Sequence, residues 1–307
     1  MKHLTSKNAK KNNWWKYLLM LALFPVLAQL VVAWYYLLNT NEDAVGSVSI
    51  EINNSIHYAS NPTVQIGILA LFFIFMLIAF AFVYSHLHHK SFRTVINGTR
   101  LIRWRRIIIG FAICFVVEAF LFGADYYLDI DNYEVRLHWN SLIPLGLVAV
   151  FMVPFQAFFD EIIFRGYLAQ GVAHLTKSRF LVILIPTIFF AVIHAFNPIL
   201  NGVGFWTVLL LYFLIGLSYA IISVLDDGIE LAMGLHAANN VFATIFVVNA
   251  NSIIKTDALL LMKEVNFPDA FVPIIIAQLV MIAALAFKYK WPWRSVFSQI
   301  EDGFAIN

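Results

Sequence analysis

Apolar runs of about 20 residues recur from one end of this chain to the other, the length a helix needs to cross a bilayer core. At that depth no water satisfies backbone N–H and C=O groups, so each run must close its hydrogen bonds internally, as a helix does. Composition agrees: 61% of residues are hydrophobic, 12% are charged and the mean hydropathy is +0.80. A soluble domain is roughly 45–50% apolar and about 25% charged. The expected fold is all-α, a polytopic membrane bundle of about eight transmembrane helices. No polar linker is long enough to separate two domains. Residues 1–150 read as N-terminal transmembrane helices, 151–250 as a core with polar residues in its spans, and 251–307 as a last helix and tail. Cys114, the single cysteine, lies within an apolar run, so no intrachain disulfide can form. The net charge of +2 comes from basic residues scattered in short loops, which gives nucleic acid no surface to bind.

Loop charges give the expected orientation, because Lys and Arg mark the cytoplasmic side. The start of the chain carries Lys2, Lys7, Lys10, Lys11 and Lys16, with Trp14 and Trp15 at the interface. A first span follows over Tyr17 to Leu38, too long for a signal peptide. The loop from Asn39 to Pro62 has acids and no Lys or Arg, and reads as outside. A second span over Val64 to Tyr84 leads to Lys90, Arg93, Arg100, Arg103, Arg105 and Arg106, the strongest inside signal. A third span, Ile107 to Tyr127, returns to acidic Asp129, Asp131 and Glu134. The fourth starts near Ser141, passes through Asp160, Glu161 and Arg165, and stays helical to about His174. Lys177 and Arg179 turn it inside. The fifth, Phe180 to Phe196, stops at Asn197-Pro198, where proline lacks the N–H a helix needs. Further spans cover Phe205 to Leu225, Ile229 to Asn249 and Ala270 to Phe287, with an inner turn at Asp226-Asp227-Gly228. Both termini then lie in the cytoplasm.

Against this background the polar residues inside spans carry the information, since an ionisable group in hydrocarbon costs on the order of 3 kcal/mol. Asp160 and His194 are each 17 residues from Lys177 in sequence. Antiparallel helices sharing that turn put both on the order of 20 Å from the inner end at roughly 1.5 Å per residue, so carboxylate and imidazole can face each other. Glu161 and Arg165, at i,i+4, share a helix face and offset each other's charge, while Asp160 points about 100° away. His236 and Asn240, again at i,i+4, share a face of the seventh span. Taken singly, each is most simply an ion pair or an interhelical hydrogen bond. Together, an acid, two histidines and an amide can hydrolyse a peptide bond: a base for water and donors for an oxyanion. Asp160, His194 and His236 could instead ligate zinc and leave a position for water, although no H-E-x-x-H helix is present. Gln156, one turn before Asp160, can hydrogen-bond the water. Glu118, an acid in the third span, either faces this site or bonds to a neighbouring helix.

Three stretches, Asp160-Glu161-Ile162-Ile163-Phe164-Arg165, Phe190-Ala191-Val192-Ile193-His194 and His236-Ala237-Ala238-Asn239-Asn240, resemble the EExxxR, FxxxH and HxxxN motifs of the CPBP family. That family comprises the intramembrane CAAX proteases and bacteriocin-processing enzymes. The resemblance runs from about Pro154 to Val247. It implies an eight-helix bundle with a site open to the cytosol, in which Asp160 and His194 activate water. By the same resemblance His236 and Asn240 form the oxyanion hole, and Glu161 and Arg165 match the second glutamate and the arginine. The activity implied is hydrolysis of a membrane-embedded or membrane-anchored peptide by an integral multi-pass protein of a bacterial cell membrane, with the bilayer as its surroundings. A scaffold or bacteriocin self-immunity protein that keeps this fold without catalysis is the alternative. No cofactor is certain; a divalent metal such as zinc is the candidate. One position departs from the pattern: the family's first glutamate is Asp160, one methylene shorter, and a carboxylate displaced by about 1 Å can cost on the order of 10²-fold in rate.

Overall fold

Long apolar runs become helices, and the described residues are mostly helical. The computed structural model describes residues 3–4, 13–24, 26, 61–99, 101–196, 204–249, 256–264 and 267–300. The expected first span is therefore described only in its first part, as α1 (Trp14–Phe24). Nearly all of the loop Asn39 to Pro62 and the stop at Asn197-Pro198 lie outside the described residues. Next come α2 (Pro62–His88), a short α3 (Arg93–Asn97) and α4 (Trp104–Leu128). They are followed by α5 (Trp139–Phe151), α6 (Pro154–Glu161) and α7 (Ala169–Thr176). The chain continues with α8 (Arg179–Ala195), α9 (Phe205–Leu225), α10 (Glu230–Phe246) and α11 (Phe267–Tyr289). Among the described residues, five helical stretches are long and apolar enough to cross a membrane: 62–88, 104–128, 139–176, 205–225 and 271–289.

The fourth span runs helical from Trp139 to Thr176, as expected. It is interrupted between α5 and α6 at Met152-Val153, where Pro154 has no N–H to return to the preceding turn. Between α6 and α7 it winds as a π-helix over Ile162–Leu168. The seventh span does not reach Asn249: α10 ends at Phe246, and Val247–Asn249 is β2. Nor is the fold purely helical. β2 pairs in parallel with β3 (Leu260–Met262), which pairs antiparallel with β1 (Tyr133–Val135), Tyr133 facing Met262. This small sheet joins the α4–α5 and α10–α11 connections, two loops that charge places on the same side.

The other end of the bundle gathers the basic loops. Arg103 grips Glu230 through Nε–Oε1 at 3.0 Å and Nη2–Oε2 at 2.6 Å, and reaches Asp226 Oδ2 at 3.1 Å. Arg106 meets the other Asp226 oxygen at 3.1 Å. The acidic turn at Asp226-Asp227 is thus paired with arginines at the start of α4. The C-terminal segment joins the same end, with Ile300 N–H bonded to the Lys177 carbonyl at 2.8 Å. Lys177 itself caps α7 in the left-handed conformation, φ 54°, and Ser178 caps α8 by accepting from Leu181 N.

The central helix is α10, packed most intimately against α4. The two backbones touch where Gly110 faces Leu231 and Gly234 faces Ile107. A Cβ at Gly234 would collide with the Ile107 carbonyl oxygen and come within 2.8 Å of Phe111 N. Small residues let transmembrane helices approach this closely. Gly234→Ala is expected to force α4 and α10 apart at about 1–3 kcal/mol, the usual cost of overpacking, lowering the melting temperature in detergent. Gly67→Ala, where a Cβ meets nothing within 4 Å, should leave melting almost unchanged. Equal melting of the two variants would show that the crossing is not tight.

Candidate active site

The first motif straddles the end of α6 and the π-helix, and Glu161 and Arg165, four residues apart, share a face there. Arg165 Nη1 then reaches back to Glu161 Oε1 at 3.0 Å. Its Nη2 donates to the Gly216 carbonyl on α9 at 3.1 Å. A Cβ at Gly216 would stand 2.9 Å from Phe190 and 3.1 Å from Arg165 Nη2, so glycine makes room for the guanidinium. Below, the Phe190 ring lies 4.2 Å from the guanidinium carbon, a favourable seat for a buried cation.

Glu161 has a second partner. His236 Nδ1 on α10 lies 2.8 Å from the same Oε1 atom. A carboxylate only accepts, so Nδ1 carries the hydrogen, and in the neutral form of the ring Nε2 presents a lone pair. The Glu161, Arg165 and His236 side chains are 0%, 1% and 8% exposed, an internal brace tying α6, the π-helix, α9 and α10 together.

Asp160 and His194 face the other way, into a cavity of about 270 Å³ between α6, α8, α9, α10 and α11. Their side chains are 14% and 16% exposed, and Asp160 Oδ2 lies 3.9 Å from His194 Nε2. The His194 ring is fixed on both sides: Nδ1 donates to the Phe190 carbonyl at 2.8 Å, and Tyr212 stacks on it with ring centroids 4.5 Å apart. With Nδ1 protonated, neutral His194 also offers a lone pair at Nε2. Two acceptors 3.9 Å apart do not bond each other. A single water about 2.8 Å from both would subtend an angle of about 90°, near its own bond angle. It would donate a hydrogen to each and turn its lone pairs outward.

His236, Asn239, Asn240 and Gln156 line the same cavity. Its remaining wall is apolar, from Val208, Leu211 and Ile215 on α9 and Ile274 on α11. The structure therefore places Asp160, His194, His236 and Asn240 around one cavity and sets Glu161 and Arg165 behind it. Glu118 is not among the lining residues. It shares a hydrogen bond with Cys114 on the same helix, and its Oε2 is buried without a partner among the described residues. Sequence reasoning did not find the Glu161–His236 bond, the seat that Phe190 makes for Arg165, or Tyr212. Only Phe190 carried a signal, as part of a motif.

A zinc site fits this arrangement poorly. Among the described residues no three His, Cys, Asp or Glu side chains are grouped to hold an ion. The 3.9 Å between Asp160 Oδ2 and His194 Nε2 exceeds the roughly 3.4 Å that two ligands about 2.1 Å from one tetrahedral zinc would span.

Comparison with known proteins agrees with the motifs. Residues 139–242 match the family model described as type II CAAX prenyl endopeptidase Rce1-like. An uncharacterised protein of Bacillus subtilis (strain 168), YyaK, is 29% identical over 195 residues, 63% of this chain. The matched region spans 65% of that relative's length. No solved structure matches. The segment that carries all three motifs is thus the one similar to the Rce1-like family model.

Proposed function

We propose that this protein is an intramembrane endopeptidase that hydrolyses a peptide bond of a membrane-embedded or membrane-anchored peptide. One observation carries the reading: the Asp160 carboxylate and the His194 lone pair converge on one point of a cavity that also holds amide donors. In this reading Asp160 takes a proton from water while His194 aligns it, and the hydroxide attacks the carbonyl carbon. The oxyanion is met by amide hydrogens from the α10 wall, and the proton then passes to the leaving amine. Glu161 and Arg165 act through His236 and never touch substrate. The bundle has eight spans with both termini cytoplasmic, a reading supported by the loops of each charge class meeting at opposite ends.

A second reading has its own support. Aspartate stands where the family has glutamate, as expected of a scaffold or self-immunity protein that has lost catalysis. Comparison of wild type with His194→Ala separates the two. Purified protein in liposomes is offered a library of membrane-anchored reporter peptides, with and without chelator. Cleavage by wild type, reduced on the order of 10²–10⁴-fold in His194→Ala with membrane insertion unchanged, is the expected result. Equal cleavage by both would remove His194 from the reaction and with it this mechanism.

A further inference from the structure

Hydrolysis at this site needs a hydrogen-bond donor for the oxyanion, and in their neutral forms the two histidines do not supply one. His194 gives its Nδ1 hydrogen to Phe190 and His236 gives its own to Glu161. In the neutral state both therefore turn an acceptor nitrogen away from these bonds.

The donors come from amides. Asn240 lines the cavity, but an amide is useful to an oxyanion only with its NH₂ side inward. Turned the other way it presents a carbonyl oxygen and repels the charge. Nothing in the HxxxN pattern fixes that choice. Here Asn239 Nδ2 donates to Asn240 Oδ1 at 3.0 Å. Asn239 is half-buried at the same wall. Its bond holds the Asn240 oxygen aside, and among the described residues neither Nδ2 hydrogen of Asn240 has a protein partner.

We propose that Asn239 is a positioning residue, which locks the Asn240 amide with its NH₂ group toward the cavity and so makes Asn240 the oxyanion donor. The inference rests on the endopeptidase reading above. It differs from the resemblance-based assignment, which shares the oxyanion between His236 and Asn240.

Asn239→Asp tests it, because aspartate has the same shape but can only accept. It would draw the Asn240 NH₂ toward itself and turn the Asn240 carbonyl into the site. An aspartate could also act by plain charge repulsion, so Asn240→Ala and the Asn239→Asp, Asn240→Ala double variant are measured alongside. Two readouts are taken: kcat and KM on a cleaved reporter, and affinity for a lipid-anchored peptide with a phosphinate in place of one peptide bond. Asn239→Asp and Asn240→Ala are each expected to lose on the order of 10²-fold in kcat and in phosphinate affinity, with KM little changed. The double variant should be no worse than Asn240→Ala alone, since Asn239 acts only through Asn240. Losses that multiply in the double variant, or an Asn239→Asp protein that behaves as wild type, would overturn the inference and leave hydrolysis standing. A wild type that binds the phosphinate but cleaves nothing would end the endopeptidase reading, and the order of phosphinate affinities would still decide the role of Asn239.

Discussion

Replacing Asp160 with alanine or asparagine is expected to reduce reporter cleavage on the order of 10²–10⁴-fold. Both changes remove the carboxylate that, with His194 Nε2 3.9 Å away, brackets the water. Asparagine keeps the shape and loses the base, so equal losses would separate charge from packing. Asp160→Glu is the informative third variant. Its extra methylene must fold back to keep the same gap, because a carboxylate reaching straight forward would displace the water. We expect it to stay within about 10²-fold of wild type, the cost of a misplacement near 1 Å, and well above alanine. Reporter kinetics in liposomes give the order. Activity in Asp160→Ala equal to wild type would place the base elsewhere. An inactive Asp160→Glu beside an active wild type would show that this backbone is built for the shorter acid.

Arg165→Met carries the largest expected effect on stability. It leaves Glu161, 0% exposed, without its guanidinium partner and the Gly216 carbonyl without a donor. Breaking a buried pair on one side costs about 3–5 kcal/mol, because the remaining charge stays buried and uncompensated. The comparison is Arg136→Ala, which breaks a pair with Glu134 whose side chains are 32% and 54% exposed. Exposed pairs contribute roughly 0–1 kcal/mol. Replacing both partners, as Glu161→Leu with Arg165→Met, should recover much of the lost stability, since no buried charge remains. Activity should not return, because His236 Nδ1 has then lost the acceptor that sets its ring. Melting in detergent and reporter cleavage, measured on the same preparations, check both halves. An Arg165→Met protein that melts with wild type would mean that water or lipid headgroups reach Glu161.

Helix length and hydrophobicity were legible along the chain because a bilayer imposes them residue by residue. α2, α4 and α9 start and end within a few residues of their expected bounds. The places that differ are those where a neighbour competes with local preference. α10 gives up its last turn because Val247–Asn249 finds a partner strand in β3. The π-helix at Ile162–Leu168, which holds Arg165, has no periodic signature in the sequence.

The candidate site divides along the same line. The sequence by itself determined which residues share a depth. Asp160 and His194 lie equally far from the turn at Lys177, and the structure has them 3.9 Å apart. It also determined that Glu161 and Arg165 share a face. Only the tertiary structure decided who meets whom across helices: Glu161 with His236, Phe190 beneath Arg165, Tyr212 on His194, Asn239 holding Asn240. Depth follows from rise per residue, a local property that counting recovers. Contact across helices depends on each helix's rotation and closest approach, set here by glycines at the α4–α10 crossing, which no count along the chain contains.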